Sequence, residues 1–193
     1  KDLVKQILVF SRQGKHEYIR IRLDATIRES LKMLRAILPA TIEIRQNLLA
    51  DSRVLADSTQ IHQVMMNLCS NAAHAMRDTG GVLDVSLDRV VIEEGAEAHA
   101  LDLPAGPYLR LTISDTGNGM TPDVMERIFD PYFTTKRSGS GLGLATAYNI
   151  AKAHRGALMA VVKRGRGAIF DLYLPAADKP LSDADDRRTN APA

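Results

Sequence analysis

Apolar residues recur along this chain with two periods, about 3.6 residues and two, and the switches between them mark the elements. Leu3, Val4, Ile7, Leu8 and Phe10 make a helix-like stripe that has no capping residue before it and stops near Gly14. It reads as the tail of a longer helix, so the chain is expected to be part of a longer protein whose remainder could include membrane segments. Residues 18–22 alternate like a strand, and residues 25–38 are helix-patterned up to Pro39. Strand-like stretches follow at 41–45 and 53–56. Asp57 then stands as an N-cap before a long helix with the apolar face Ile61, Val64, Met65, Leu68, Ala72, Ala75 and Met76, ended by Gly80 and Gly81.

Residues 82–92 and 108–114 both alternate, which predicts neighbouring strands of one sheet, and residues 93–107 between them read as an acidic loop containing Ala and Pro. After Asp115 come a glycine turn, a short helix near 122–128, an irregular stretch to Ser140 and a helix to about His154. Two strands close the pattern, 158–163 and 168–174, and Pro175 ends it. Residues 176–193 contain almost no large apolar side chains and are expected to be a disordered tail or linker. The division is therefore a helix remnant at 1–14, one domain at 15–175 and the tail. Helices and strands interleave without a strict βαβ repeat, which predicts an α+β fold in two layers, a mixed sheet covered on one face by helices.

At 193 residues, 45% hydrophobic and 25% charged, the composition is that of one globular domain. Its 25 basic and 23 acidic residues give a net charge of +2, which offers no electrostatic case for nucleic acid or an anionic membrane. An anionic ligand must be held locally. The single cysteine, Cys69, cannot form an internal disulfide, and no signal peptide or apolar run of membrane-spanning length occurs, so a cytoplasmic setting is expected.

Four stretches carry candidate chemistry. On the long helix Asn67, Asn71, His74 and Asp78 recur at i, i+4, i+7 and i+11, one stripe beside the apolar face. An Asn side-chain oxygen is a neutral hard ligand suited to Mg²⁺, although two Asn on a half-exposed helix are more often simply solvated or bonded to a neighbouring loop. Asp115-Thr116-Gly117-Asn118-Gly119 places a carboxylate at the end of a buried strand, with glycines that let backbone approach a flat ligand. A carboxylate only accepts hydrogen bonds, so it would select adenine's amino group over guanine's carbonyl; alone, the pattern also fits a tight turn. Gly139-Ser140-Gly141-Leu142-Gly143-Leu144 runs into a helix, where backbone N–H groups could hold phosphates. It is neither a dinucleotide-binding turn nor a G-x-x-x-x-G-K-[ST] loop. Upstream, Phe129, Tyr132 and Phe133 could anchor a loop whose Lys136 and Arg137 reach a γ-phosphate, or the loop is a basic surface.

Taken in order, these stretches resemble the catalytic domain of sensor histidine kinases, in the superfamily shared with gyrase, the heat-shock chaperone ATPase and MutL. Residues 63–72 look like the family's N box, 115–119 its first glycine box, 130–136 its F box and 139–144 its second glycine box. The resemblance covers residues 24–175 and implies the Bergerat fold, with ATP and Mg²⁺ as ligands. It implies that Asn71 ligates Mg²⁺, that Asn67 and Lys136 act around the γ-phosphate, and that His74 and Arg137 touch phosphate. Asp115 would read adenine beside Gly117, Gly119 and Phe129, while Ser140, Gly141, Leu142 and Gly143 hold phosphate and support the lid. Ala168 stands where Thr or Ser is common in the family, so a hydroxyl contact on the adenine side is absent. Residues 4–12 resemble the end of the second dimerisation helix of nitrogen-regulatory and PAS-linked kinases.

The resemblance further implies transfer of the γ-phosphoryl to a histidine on a dimerisation domain, a homodimeric parent and a response-regulator receiver domain as partner. None of the five histidines fits the acceptor. His16 follows the dimerisation-helix remnant, His62 and His74 lie on the N-box helix, His99 in the acidic loop and His154 at a helix end. The chain is thus expected to bind ATP without phosphorylating itself. An aspartic protease reading of Asp115-Thr116-Gly117 leaves three motifs unused. A degenerate nucleotide-binding or interaction module of the same fold is the alternative, set against the intact Asn71 and Asp115. A superfamily ATPase would carry a water-activating Glu where Asn67 stands.

Overall fold

The structure is a computed structural model that describes residues 17–49, 51–136, 139–162 and 167–177. The stripe of residues 3–10, His16, Arg137 and the stretch 178–193 lie outside the described residues. β1 (Ile19–Arg22) runs directly into α1 (Leu23–Ile37). Leu23, Ile27, Leu31 and Leu34 repeat at helical spacing and are buried. Pro39 forces the residue before it out of helical geometry, and Leu38 is extended, with φ −79° and ψ 145°. The Arg35 guanidinium donates to the carbonyl oxygens of Leu38, Pro39 and Ile42, binding the helix end to the next strand.

β2 (Ile42–Leu48) and β3 (Arg53–Ala56) precede α2 (Ser58–Ala75), where Asp57 accepts from the Thr59 and Gln60 N–H groups as the sequence predicts for an N-cap. β4 (Gly81–Ile92), α3 (Ala96–Leu101) and β5 (Gly106–Asp115) follow, then α4 (Pro122–Met125), α5 (Gly143–Ala153), β6 (Ala157–Val162) and β7 (Ala168–Pro175). The five-stranded sheet has the order β2-β4-β5-β7-β6, and β1 and β3 form a separate two-stranded ribbon. β2 and β4 are parallel and the remaining pairs antiparallel, so the sheet is mixed, as the interleaved pattern predicts.

Alternation along β5 sends Leu109, Leu111 and Ile113 to one face, where they join Leu83, Val85 and Leu87 of β4 and Phe170, Leu172 and Leu174 of β7. α1, α2 and α5 close over this face through Leu34, Ile61, Met65, Leu68, Ala147 and Ile150. The opposite face is not bare. Residues 93–107, read from their composition as a loop, contain α3, which packs Ala98 and Leu101 over Ile92, Tyr108, Ala157 and Tyr173. Six residues are too few to show a helical period, which is why the pattern conceals this helix.

His154 joins three elements. Its Nδ1 lies 2.8 Å from the Ile150 carbonyl oxygen, so Nδ1 carries the proton and Nε2 accepts from the Asp57 N–H at 3.2 Å. The Tyr18 ring lies 4.9 Å from it. His62 instead sits against Ser30 Oγ at 2.7 Å, joining α1 to α2. No helix among the described residues is long and apolar enough to cross a membrane.

Leu68, 1% exposed at the centre of α2, has no room to be replaced by water. Leu68→Ala is expected to lower the unfolding free energy by about 2–5 kcal/mol, read as a lower urea midpoint at unchanged slope; an unchanged midpoint would contradict this packing.

Candidate nucleotide site

Three segments converge along one edge of α2. At its C-terminal end Gly117 crosses directly over the helix: a Cβ there would stand 2.6 Å from Ala75 Cβ and 2.8 Å from the Ala75 carbonyl oxygen. One turn back, the Asn71 side-chain oxygen accepts a 2.6 Å hydrogen bond from Lys136 Nζ. A further turn back, Asn67 Oδ1 faces Gly143, the first residue of α5, where a Cβ would stand 3.5 Å away. Asn67, Asn71 and Ala75 therefore lie on one strip spanning about 12 Å, at 1.5 Å per residue.

Asp115 ends β5 and is only 5% exposed. Its Oδ1 accepts from the Gly117 N–H at 2.8 Å, and the Ala168 N–H also reaches the carboxyl group. Burial raises its pKa above the usual carboxylate range, and the two backbone donors oppose that rise. The main chain thus supplies a donor at Ala168, where the sequence reading notes an absent hydroxyl. Gly167, with φ +81°, lets this strand pass over Asp115; a side chain would run into the Asp115 carbonyl oxygen. Beside it Thr116 extends the sheet by one step, its Oγ1 accepting from Val82 N–H at 3.0 Å and its N–H donating to the Val82 carbonyl at 3.2 Å.

The loop after α4 is fastened at several points. The Phe129 ring lies 5.2 Å from Tyr148 of α5, and the Arg127 guanidinium lies 4.5 Å above Phe133. Tyr132 takes φ +67°, its N–H donates to the Gly141 carbonyl at 3.0 Å, and the residue is 76% exposed. Gly141 has φ +69°, and a Cβ there would collide with the Tyr132 backbone. Leu142 precedes α5 with no side-chain cap on that helix end, and Ser140 Oγ accepts from the Leu142 N–H at 3.4 Å. The first N–H groups of α5 and its positive end thus stand beside Asn67. Lys136 is partly buried, which lowers its pKa, and its N–H donates to Thr134 Oγ1 at 3.1 Å.

Residues 56–178 match the profile of the family described as histidine kinase-, DNA gyrase B-, and HSP90-like ATPase. The chain belongs to this family. It is 34% identical over 177 residues to the sensor kinase CckA of Brucella abortus, covering 90% of this chain and 19% of that protein. Among solved structures it resembles full-length ShkA in complex with AMPPNP, with a TM-score of 0.70, 25% identity, and 91% of this chain and 35% of that one covered. It also resembles histidine kinase ThkA in complex with the response regulator TrrA, with a TM-score of 0.67 at 25% identity and coverage of 91% and 47%. The chain spans about a fifth of the length of CckA. What these likenesses show is a histidine-kinase-type ATPase domain with the Bergerat fold, in a family whose members bind ATP.

Within this ATPase domain the structure brings Asn67, Asn71, Lys136, Asp115, Gly117 and Gly143 together on the α2 edge. Gly119, with φ +67°, turns the chain just beyond Asp115. The stripe read from the sequence bends away from this edge: α2 ends at Ala75, Asp78 falls in the exposed turn after it, and His74 is exposed. Burial and the nearby Lys136 and Arg77 cations lower the His74 pKa. Phe129 is held by Tyr148, and Tyr132 fastens the loop through its backbone rather than its ring. Sequence reasoning missed Ala75, Thr116 and Gly167 as parts of the site. The i, i+4, i+8 spacing from Asn67 would have found Ala75, whereas Gly167 shows its purpose only once β7 is laid beside β5.

Because folding raises the Asp115 pKa, the folded chain binds that proton more tightly than the unfolded one. Stability is then lost as pH rises from the ordinary carboxylate range to the raised folded value. Asp115→Asn keeps the side chain's size and one acceptor oxygen, which can serve the Gly117 N–H, and removes the buried charge. At neutral pH the variant is expected to unfold at a higher urea concentration than the parent, with the difference vanishing at pH below the ordinary carboxylate value; a pH-independent loss of stability would contradict the assignment.

Proposed function

We propose that the chain is the catalytic part of a sensor histidine kinase, transferring the γ-phosphoryl of ATP to an imidazole nitrogen on a dimerisation domain outside this chain. The observation that carries this reading is the single α2 strip, with a buried carboxylate at one end and the uncapped start of α5 at the other. Asp115 accepts from the adenine amino group, and Gly117 and Gly119 let the backbone lie close to the base. At the other end the α5 N–H groups, with Ser140, Gly141, Leu142 and Gly143, hold phosphate oxygens. Phe129 supports the loop between the two ends.

Asn71 is the residue that would hold Mg²⁺. Its side-chain oxygen already accepts from an ammonium group, which fits a cation ligand, and bound there Mg²⁺ would neutralise charge on the phosphate oxygens. Asn67 and Lys136 orient the γ-phosphate, and His74 contributes at the rim; Arg137, outside the described residues, is assigned to phosphate from its place in the sequence alone. The acceptor nitrogen forms a bond to the γ-phosphorus as the bond to the β,γ-bridging oxygen breaks, and ADP leaves. The residues of this chain supply position and charge rather than the nucleophile. Residues 1–14 as a dimerisation-helix end, a homodimeric parent, a receiver-domain partner and a cytoplasmic setting complete the proposal. The receiver partner is supported by the ThkA–TrrA complex.

Mixing the chain with γ-labelled ATP and a histidine-bearing sensor-kinase dimerisation domain tests this. Acid-labile label is expected on the added domain and not on this chain, and Asn71→Ala is expected to slow transfer on the order of a hundredfold. Dilution-independent labelling of this chain alone, or failure to label any acceptor while ATP binds, would contradict the kinase assignment.

A further inference from the structure

Asn71 has one side-chain oxygen, and the Lys136 ammonium holds it at 2.6 Å. A divalent cation on the same oxygen would sit at about 2.0–2.1 Å. Two cations cannot share one neutral oxygen at those distances without strong repulsion, so a metal at Asn71 requires Lys136 to leave. The lysine main chain is held in place. Its own N–H is tied to Thr134 Oγ1, its carbonyl accepts from the Gly139 N–H at 3.2 Å, and the loop is fastened to the start of α5 through Tyr132 and Gly141. With its main chain fixed there, the displaced side chain remains within reach of Asn67 and the α5 N-terminus, where a terminal phosphate would replace the lost acceptor.

We infer that Lys136 sets a preference for nucleoside triphosphate over diphosphate by competing with the metal for the Asn71 oxygen. This rests on the nucleotide-site reading above. With a triphosphate, the displaced ammonium exchanges Asn71 for the terminal phosphate and loses nothing. A diphosphate is one phosphoryl group shorter, so metal binding costs the Lys136–Asn71 bond without a replacement. The competition weakens the metal-bound diphosphate complex specifically and leaves metal-free diphosphate binding unaffected. In this arrangement the residue that engages the terminal phosphate also penalises its absence.

Calorimetry on the chain and on Lys136→Met, with ATP and ADP, each with and without Mg²⁺, tests this. Lys136→Gln serves as a second variant should Met disturb the loop, and urea unfolding checks that each variant is folded. The variant is expected to bind MgADP several-fold more tightly than the parent and MgATP more weakly, with metal-free ADP unchanged. The ATP-to-ADP preference should then fall on the order of tenfold, the value of one charge-assisted hydrogen bond. MgADP affinity unchanged or reduced in both variants would overturn the competition while leaving the nucleotide site standing. No binding of either nucleotide by the parent chain would overturn both.

Discussion

A carboxylate kept from water at the end of β5 is the constraint around which the site is arranged. Asp115 is 5% exposed, and among the described residues the backbone N–H groups of Gly117 and Ala168 donate to it. Burying a charge with so few partners is unfavourable, and burial accordingly raises its pKa. The backbone must come close enough to supply those donors, and that requirement selects glycine on both sides. At Gly117 any Cβ meets Ala75 of α2, and at Gly167 any Cβ meets Asp115 itself. A buried carboxylate of this kind is a poor feature of a core; in the proposed site it is the acceptor for the base.

In the proposed site, α2 carries this arrangement from the base end to the phosphate end. Its inward face, Ile61, Val64, Met65, Leu68 and Ala72, is locked into the core, so the edge bearing Asn67, Asn71 and Ala75 is fixed relative to β5. α5 packs against the same core through Ala147 and Ile150, which fixes where its N-terminal N–H groups stand. The loop between α4 and α5 is held to this frame by Phe129 on Tyr148 and by the Tyr132–Gly141 backbone bond. Lys136 bridges the loop to the helix edge through Asn71.

Much of this was legible in the residue pattern because the elements are long and their periods clear. Asp57 as a cap, the alternation of β4 and β5, and the family resemblance of the boxes all agree with the structure and with the family match. What escaped was tertiary. α3 is too short to declare a period, the edge of α2 that faces the ligand depends on where the helix ends, and Gly167 acts across a strand pairing distant in sequence. His154, placed by the sequence only at a helix end, is buried and joins α5 to the start of α2, a role set by which elements meet rather than by local sequence.

The most direct test of the account is a calorimetric titration of the chain with ATP and with GTP, each in the presence and absence of Mg²⁺. A carboxylate at the base end and an Asn oxygen at the phosphate end predict binding that is selective for ATP and strengthened by Mg²⁺. Equal affinity for GTP would contradict the assignment of Asp115, and no binding of either nucleotide would contradict the site as a whole.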